Sequence, residues 1–124
     1  MNRFTLLCCL PMIGCASSVV GEWEGDCSYT VSGQLNTYAV AVEIEDVQKG
    51  EINGVGEVVA NEMVSTGVLD GTREGKDITL EVTFTDGVNE SEVFELIGEV
   101  EGREIIGDFT LGSHTGDCEL ERDD

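Results

Sequence analysis

Five cysteines and one histidine carry most of the chemistry open to this chain of 124 residues. Cys15 stands in the run Leu10-Pro11-Met12-Ile13-Gly14-Cys15-Ala16-Ser17-Ser18. A short basic start, Met1-Asn2-Arg3, and an apolar stretch over residues 4–13 precede it. A basic start, an apolar run and a small residue before the cut make a secretory signal, here ending at Gly14. The apolar stretch is much shorter than the roughly 20 residues a spanning helix needs. Cys8 and Cys9 leave with the signal, so Cys27 and Cys118 remain as a pair beside Cys15. Export to an oxidising compartment predicts a disulfide between those two. Two lone cysteines and one distant histidine, His114, do not compose a metal site.

The cysteine directly after the cut resembles the lipobox of bacterial lipoproteins, with Met12 where Leu, Val or Ile is usual and Ile13-Gly14 in place. That resemblance implies that the Cys15 thiol is lipidated and becomes the first residue of the mature chain. It also implies the membrane as a partner, through the lipid on Cys15. Several acyl chains on one cysteine anchor stably, since two hydrophobic signals already suffice. Ala16 replaces the Asp that signals inner-membrane retention, which points to the outer membrane where a cell has two. The expected organisation is a signal over residues 1–14, a lipidated cysteine and short tether over 15–20, and one domain over 21–124.

Little else has the spacing of a reactive centre. His114 sits in Gly112-Ser113-His114-Thr115-Gly116, which reads as a loop, and it lacks the partners a catalytic histidine needs. No G-x-S-x-G elbow occurs, and no free thiol is left after lipidation and pairing. The run from Asp70 to Asp77 mixes acids with Arg73 and Lys76, and reads as a turn, not a calcium loop. Asp70 is the one acid that has an inward reading, and an exposed turn position is favoured for it. The other inward positions are apolar, so a tuned pair of carboxylates lacks a cleft. The expectation is a protein that is not an enzyme and takes no cofactor.

Charge narrows the partners. All 26 acidic residues follow Cys15, while Arg3 leaves with the signal. Five cations against 26 acids give the mature chain a formal charge of -21, against -20 for the whole sequence. Such a surface repels nucleic acid and anionic lipid headgroups. It is either a solvated acidic face, as in proteins of salty habitats, or a surface for a basic protein or divalent cations.

The elements that must position these residues are strands. Period-two alternation runs through the mature region with no competing helical period. Tyr38, Val40, Val42 and Ile44 share one face, as do Ile78, Leu80, Val82 and Phe84. Phe94, Leu96 and Val100 follow the same rule, as do Ile105, Gly107, Phe109 and Leu111. At the start Trp23, Gly25, Cys27 and Tyr29 share a face, and at the end Cys118, Leu120 and Arg122 do. Residues 52–60 and 63–72 read as weaker strands, whose Gly54, Gly56, Gly67 and Gly71 suggest bulges or tight bends. Glycine-bearing turns near 33, 50, 75, 87, 102 and 112, with a further turn at Asn61-Glu62, join them as hairpins.

About eight short strands with one apolar face predict an all-β chain, folded as a small antiparallel up-and-down β-barrel. The alternative is an open β-sandwich. Direct pairing of Cys27 with Cys118 joins the first strand to the last and sets Trp23 opposite Arg122, four residues along each strand. An arginine stacked on a tryptophan closes the end of a barrel. Gly21-Glu22-Trp23 resembles the G-x-W of the first strand of calycins: the lipocalins, fatty-acid-binding proteins and avidins. Arg122 matches the arginine that packs over that tryptophan in the family. The mature chain is shorter than a typical lipocalin.

The resulting expectation is a lipid-anchored envelope protein whose acidic barrel serves as a binding or interaction module. One form is a carrier, with Tyr29, Tyr38, Val40, Val42, Leu80, Val82, Phe84, Phe94, Leu96 and Phe109 lining a site for a small hydrophobic ligand. Another is an inhibitor of a basic enzyme. A third is a structural protein that spaces or hydrates the cell exterior. Eight short strands enclose an interior just wide enough for side chains, which favours a filled core.

Overall fold

The computed structural model describes residues 18–123, so Cys8, Cys9 and Cys15 lie outside the described residues. Eight strands follow one another: β1 (Gly21–Val31), β2 (Gln34–Gln48), β3 (Glu51–Ala60), β4 (Met63–Glu74), β5 (Asp77–Asp86), β6 (Val93–Glu101), β7 (Glu104–Leu111) and β8 (His114–Asp123). Each pairs antiparallel with the next, and β8 returns to β1, so the sheet is a closed up-and-down barrel. No strand edge is left open, which removes the hazard of edge-to-edge pairing. The barrel excludes the open sandwich.

Alternation decides which side chains go inside. Trp23, Cys27, Val40, Val42, Leu80, Val82, Phe84, Phe94, Leu96, Phe109 and Leu120 are buried, while their strand neighbours face water. The register along the closing seam sets Cys27 opposite Cys118 and Trp23 opposite Arg122. Cys27 and Cys118 form a disulfide with their Cα atoms 4.0 Å apart. Glycines flank it on the inward face, Gly25 on β1 and Gly116 on β8. A Cβ at Gly25 would lie 1.9 Å from the Glu119 carbonyl oxygen, and one at Gly116 1.8 Å from that of Ser28. Only glycine permits so close an approach of the two backbones.

The glycine-rich strands behave in two ways. Register shifts occur opposite Gly54, between Ile44 and Asp46, and at Thr66/Gly67, whereas Gly56 and Gly71 lie in uninterrupted ladders. The turn at Asn61-Glu62 has both residues at positive φ, 52° and 68°, the geometry of a two-residue hairpin loop. Two expectations are corrected. The run from Asp70 to Asp77 is not one turn: β4 continues through Glu74, with Asp70 opposite Glu81 and Thr72 opposite Thr79. Ladder bonds extend the strand, and only Gly75-Lys76 turn. His114 is likewise not in a loop, because it opens β8 opposite Leu111.

The hairpin turns fall at two ends. The near end holds residues 18–20, the C-terminal end of β8 and the turns at Lys49-Gly50, Gly75-Lys76 and Gly102-Arg103. Backbone bonds tie these turns to neighbouring strands: Arg73 N–H to Gly50 O, Val100 N–H to Lys76 O and Arg122 N–H to Arg103 O. The far end holds the turns at Ser32-Gly33, Asn61-Glu62 and Gly112-Ser113, and the longer loop over residues 87–92.

Candidate functional site

Inside the barrel, nine of the ten residues expected to line a ligand site are buried; Tyr29 is half-buried. They pack into one cluster with Trp23, Ile44, Ile52, Leu69, Ile105 and Leu120. Phe94 stacks on Phe109 with ring centroids 5.8 Å apart. Side chains therefore fill the interior they were expected to line. Among the described residues Ser65 is the buried polar exception, fully enclosed. Its Oγ accepts from the Asn89 backbone N–H at 3.0 Å and lies 3.2 Å from Asn89 Nδ2, which pins the far-end loop. Sequence alternation missed Ser65 because a serine on an inward position carries no pattern signal of its own.

An aromatic group closes the far end. Tyr29 of β1 stacks between Tyr38 of β2, at 4.8 Å, and His114 of β8, at 4.3 Å. Phe109 of β7 presents an edge to both tyrosines, at 6.3 and 5.9 Å. Gly116 lies beside Phe109 in the register, and its missing side chain leaves the ring room. Tyr38 Oη lies 2.8 Å from His114 Nδ1. Burial pushes the Tyr38 phenol up to about 12, helped by the neighbouring Tyr29 hydroxyl and the Tyr29 and Glu92 charges. The phenol thus keeps its proton at neutral pH, and it donates to Nδ1 in the tautomer that carries the ring proton on Nε2. The group offers ring faces and one hydrogen-bonded phenol–imidazole pair.

At the near end, Trp23 is fully buried and donates Nε1–H to the Val19 carbonyl at 2.9 Å. The Arg122 guanidinium carbon lies 5.5 Å from the centre of the indole. Arg122 also donates to the carbonyls of Ser18, at 2.7 Å, and Val20. Residues 18–20 are thereby tied down across the barrel mouth. Arg73 is half-buried at this end, donates Nε–H to Gly75 O, and has its pKa lowered by that burial.

The outer wall is acidic, and the register lines acids up against acids. Glu24, Glu121, Glu104 and Glu101 form one cross-strand row over β1, β8, β7 and β6. Asp26 faces Glu119, and Asp108 faces Asp117. All eight are exposed. A groove beside the row is lined by five acids, Glu24, Asp26, Glu57, Glu121 and Asp123, and one cation, Arg122, over the small residues Ala39 and Ala41. Among the described residues, Glu22, Glu24 and Asp123 bring carboxylate oxygens within 4.8 Å of one another, the one such set with the spacing for a divalent cation. All three are exposed. Asp70 is exposed on β4 and not directed inward.

No protein-family model and no curated protein matches the chain. Among solved structures, the chain is similar to a protein from the de novo design of a fluorescence-activating beta barrel. The identity is 18% and the TM-score 0.63, over 90% of this chain and 100% of that one. At that identity the likeness is one of fold: this chain is a small eight-stranded antiparallel β-barrel.

Proposed function

We propose that the chain is an exported, lipid-anchored and non-enzymatic envelope protein whose acidic barrel docks a basic protein. The observation that carries this reading is the pairing of acids across strands. Like charges directly opposite each other destabilise a sheet. Here Glu24, Glu121, Glu104 and Glu101 follow one another across four strands, and two further acid pairs lie beside them. A cationic partner relieves that repulsion and gains long-range attraction as it approaches. The groove over Ala39 and Ala41 gives a long basic side chain a floor between carboxylates.

The filled interior supports a role for the outside of the barrel over that of a hydrophobic carrier. Gly21-Glu22-Trp23 with Arg122 over the indole supports a calycin-like reading of the barrel. The lipidated Cys15 comes from the lipobox-like run alone.

The test is an NMR titration of residues 18–124, exported and oxidised, with lysozyme as the basic probe. The expected result is shifts confined to the acidic row over β1, β8, β7 and the end of β6 and to the groove residues Ala39, Ala41 and Glu57 at low salt, lost as ionic strength rises through the range where the Debye length falls below about 10 Å. Absence of binding at low salt removes the reading. Native mass spectrometry of the same sample checks the carrier form, which an added mass from a small apolar compound would restore.

A further inference from the structure

All five lysines and arginines that follow the signal lie at one end of the barrel. Lys49, Lys76 and Arg103 occupy the three near-end turns, Arg73 lies on β4 two residues before its turn, and Arg122 covers the mouth. The far-end turns carry none. Strands of about ten residues tilted by about 40° stand roughly 25 Å tall, well beyond a Debye length of about 8 Å. The two ends are therefore electrostatically separate.

The chain also enters at that end. Ser18, Val19 and Val20 are fastened there by Arg122 and Trp23. Cys15 is three residues before Ser18, a reach of at most about 11 Å. A lipid on Cys15 therefore holds the near end within about 11 Å of the headgroups, little more than one Debye length.

We infer that the barrel stands end-on at the membrane, with Lys49, Lys76 and Arg103 against anionic phospholipid headgroups and the Tyr29–Tyr38–His114 end displayed outward. This rests on the lipid-anchor reading of Cys15. The three cations are exposed and occupy the turns themselves. The exposed acids Glu22, Glu51, Glu74, Asp77, Glu101, Glu104 and Asp123 stand behind them at or beside the strand ends. Those acids outnumber the cations, so net charge alone would push this end away, and the contact depends on the cations leading. The Lys76–Glu99 pair, at 3.7 Å, lies on an exposed surface and is weak enough for a phosphate to compete with it. Polybasic contacts of this kind attract anionic leaflets only at close range, which the short tether provides.

The experiment places the full lipidated chain in nanodiscs of phosphatidylcholine with or without phosphatidylglycerol, using a nitroxide on a fraction of the headgroups. On anionic discs the amides of Gly50, Gly75 and Gly102 should broaden several-fold more than those of Gly33 and Gly112. The variant carrying Lys49→Gln, Lys76→Gln and Arg103→Gln should show a clearly smaller difference, as should the native chain on zwitterionic discs, with the tether supplying what remains. Equal broadening at both ends, with the protein still travelling with the discs, overturns the orientation. A difference undiminished in both the variant and the zwitterionic discs overturns the phosphate contact, because the tether alone then orients the barrel. Failure to travel with the discs at all overturns the anchor itself.

Discussion

The two mouths of the barrel are closed by different chemistry. At the near end a guanidinium, an indole and three backbone carbonyls make a directional, hydrogen-bonded cover. At the far end three rings and a phenylalanine edge close the opening mostly by stacked area, with one hydrogen bond between Tyr38 and His114. Both use side chains with an apolar body and a polar tip, which suits a place that is core on one side and water on the other. The near-end cover fastens another piece of chain, and the far-end ring stack joins only its own strands. A cover built on donors aimed at carbonyls holds a tether in one place, whereas a ring stack tolerates sliding.

Substitutions at each mouth put that contrast to the test. The largest effect should come from the seam that serves both mouths. Replacing Cys27 and Cys118 together by Ala opens a loop of 91 residues' separation and should cost about 4–5 kcal/mol in the chain-entropy model, read from the denaturation midpoint. Arg122→Ala should cost about 2 kcal/mol, because it removes charged hydrogen bonds and a cation over the indole. Amide exchange should rise in Val20 and Gly21 and stay unchanged in β7. Tyr38→Phe should cost only about 1 kcal/mol, with exchange rising around His114 and the near end untouched.

The same Tyr38 gives a pH test. Its folded pKa, about 12, lies above the ordinary value of 10. Below pH 10 both states keep the proton and nothing is lost. Between pH 10 and about 12 the unfolded chain releases the proton first, so stability falls with rising pH. Thermal melts across that window should show the native chain losing more stability than Tyr38→Phe. The smallest effect belongs to Glu99→Gln at the near end. The Lys76–Glu99 pair is exposed, at 65% and 45% of the side chains, and its loss should move the melt by no more than about 0.5 kcal/mol.

Much of this was legible in the residues. Alternation in residues 78–84 placed Ile78, Leu80, Val82 and Phe84 inside without any tertiary knowledge, because a side-chain period of two leaves one face for the core. Cys27 and Cys118 fixed a trial register, and that register carried Trp23 to Arg122. Asp70 and His114 were misplaced for a common reason. Glycine and polar residues around them resemble turns, but ladder bonds with Glu81 and Leu111 keep both residues in strands. Ser65 escaped notice because its value lies in reaching Asn89, 24 residues away.

The aromatic stack was half visible. Tyr29, Tyr38 and Phe109 were assigned to the inside, yet nothing local tells that His114 joins them. The three strands concerned, β1, β2 and β8, meet only because the barrel closes. The cations show the same division. In an up-and-down barrel every second turn lies at the same end, so Lys49, Lys76 and Arg103 share an end by sequence order alone once the topology is granted. Their relation to the tether is different. Ser18 lies at that mouth because Arg122, 104 residues on, reaches its carbonyl across the closing seam. Pattern along the chain thus determined which face of each strand is apolar, since that depends only on nearest neighbours. Closure decided what meets at each mouth, since that depends on the first strand finding the last.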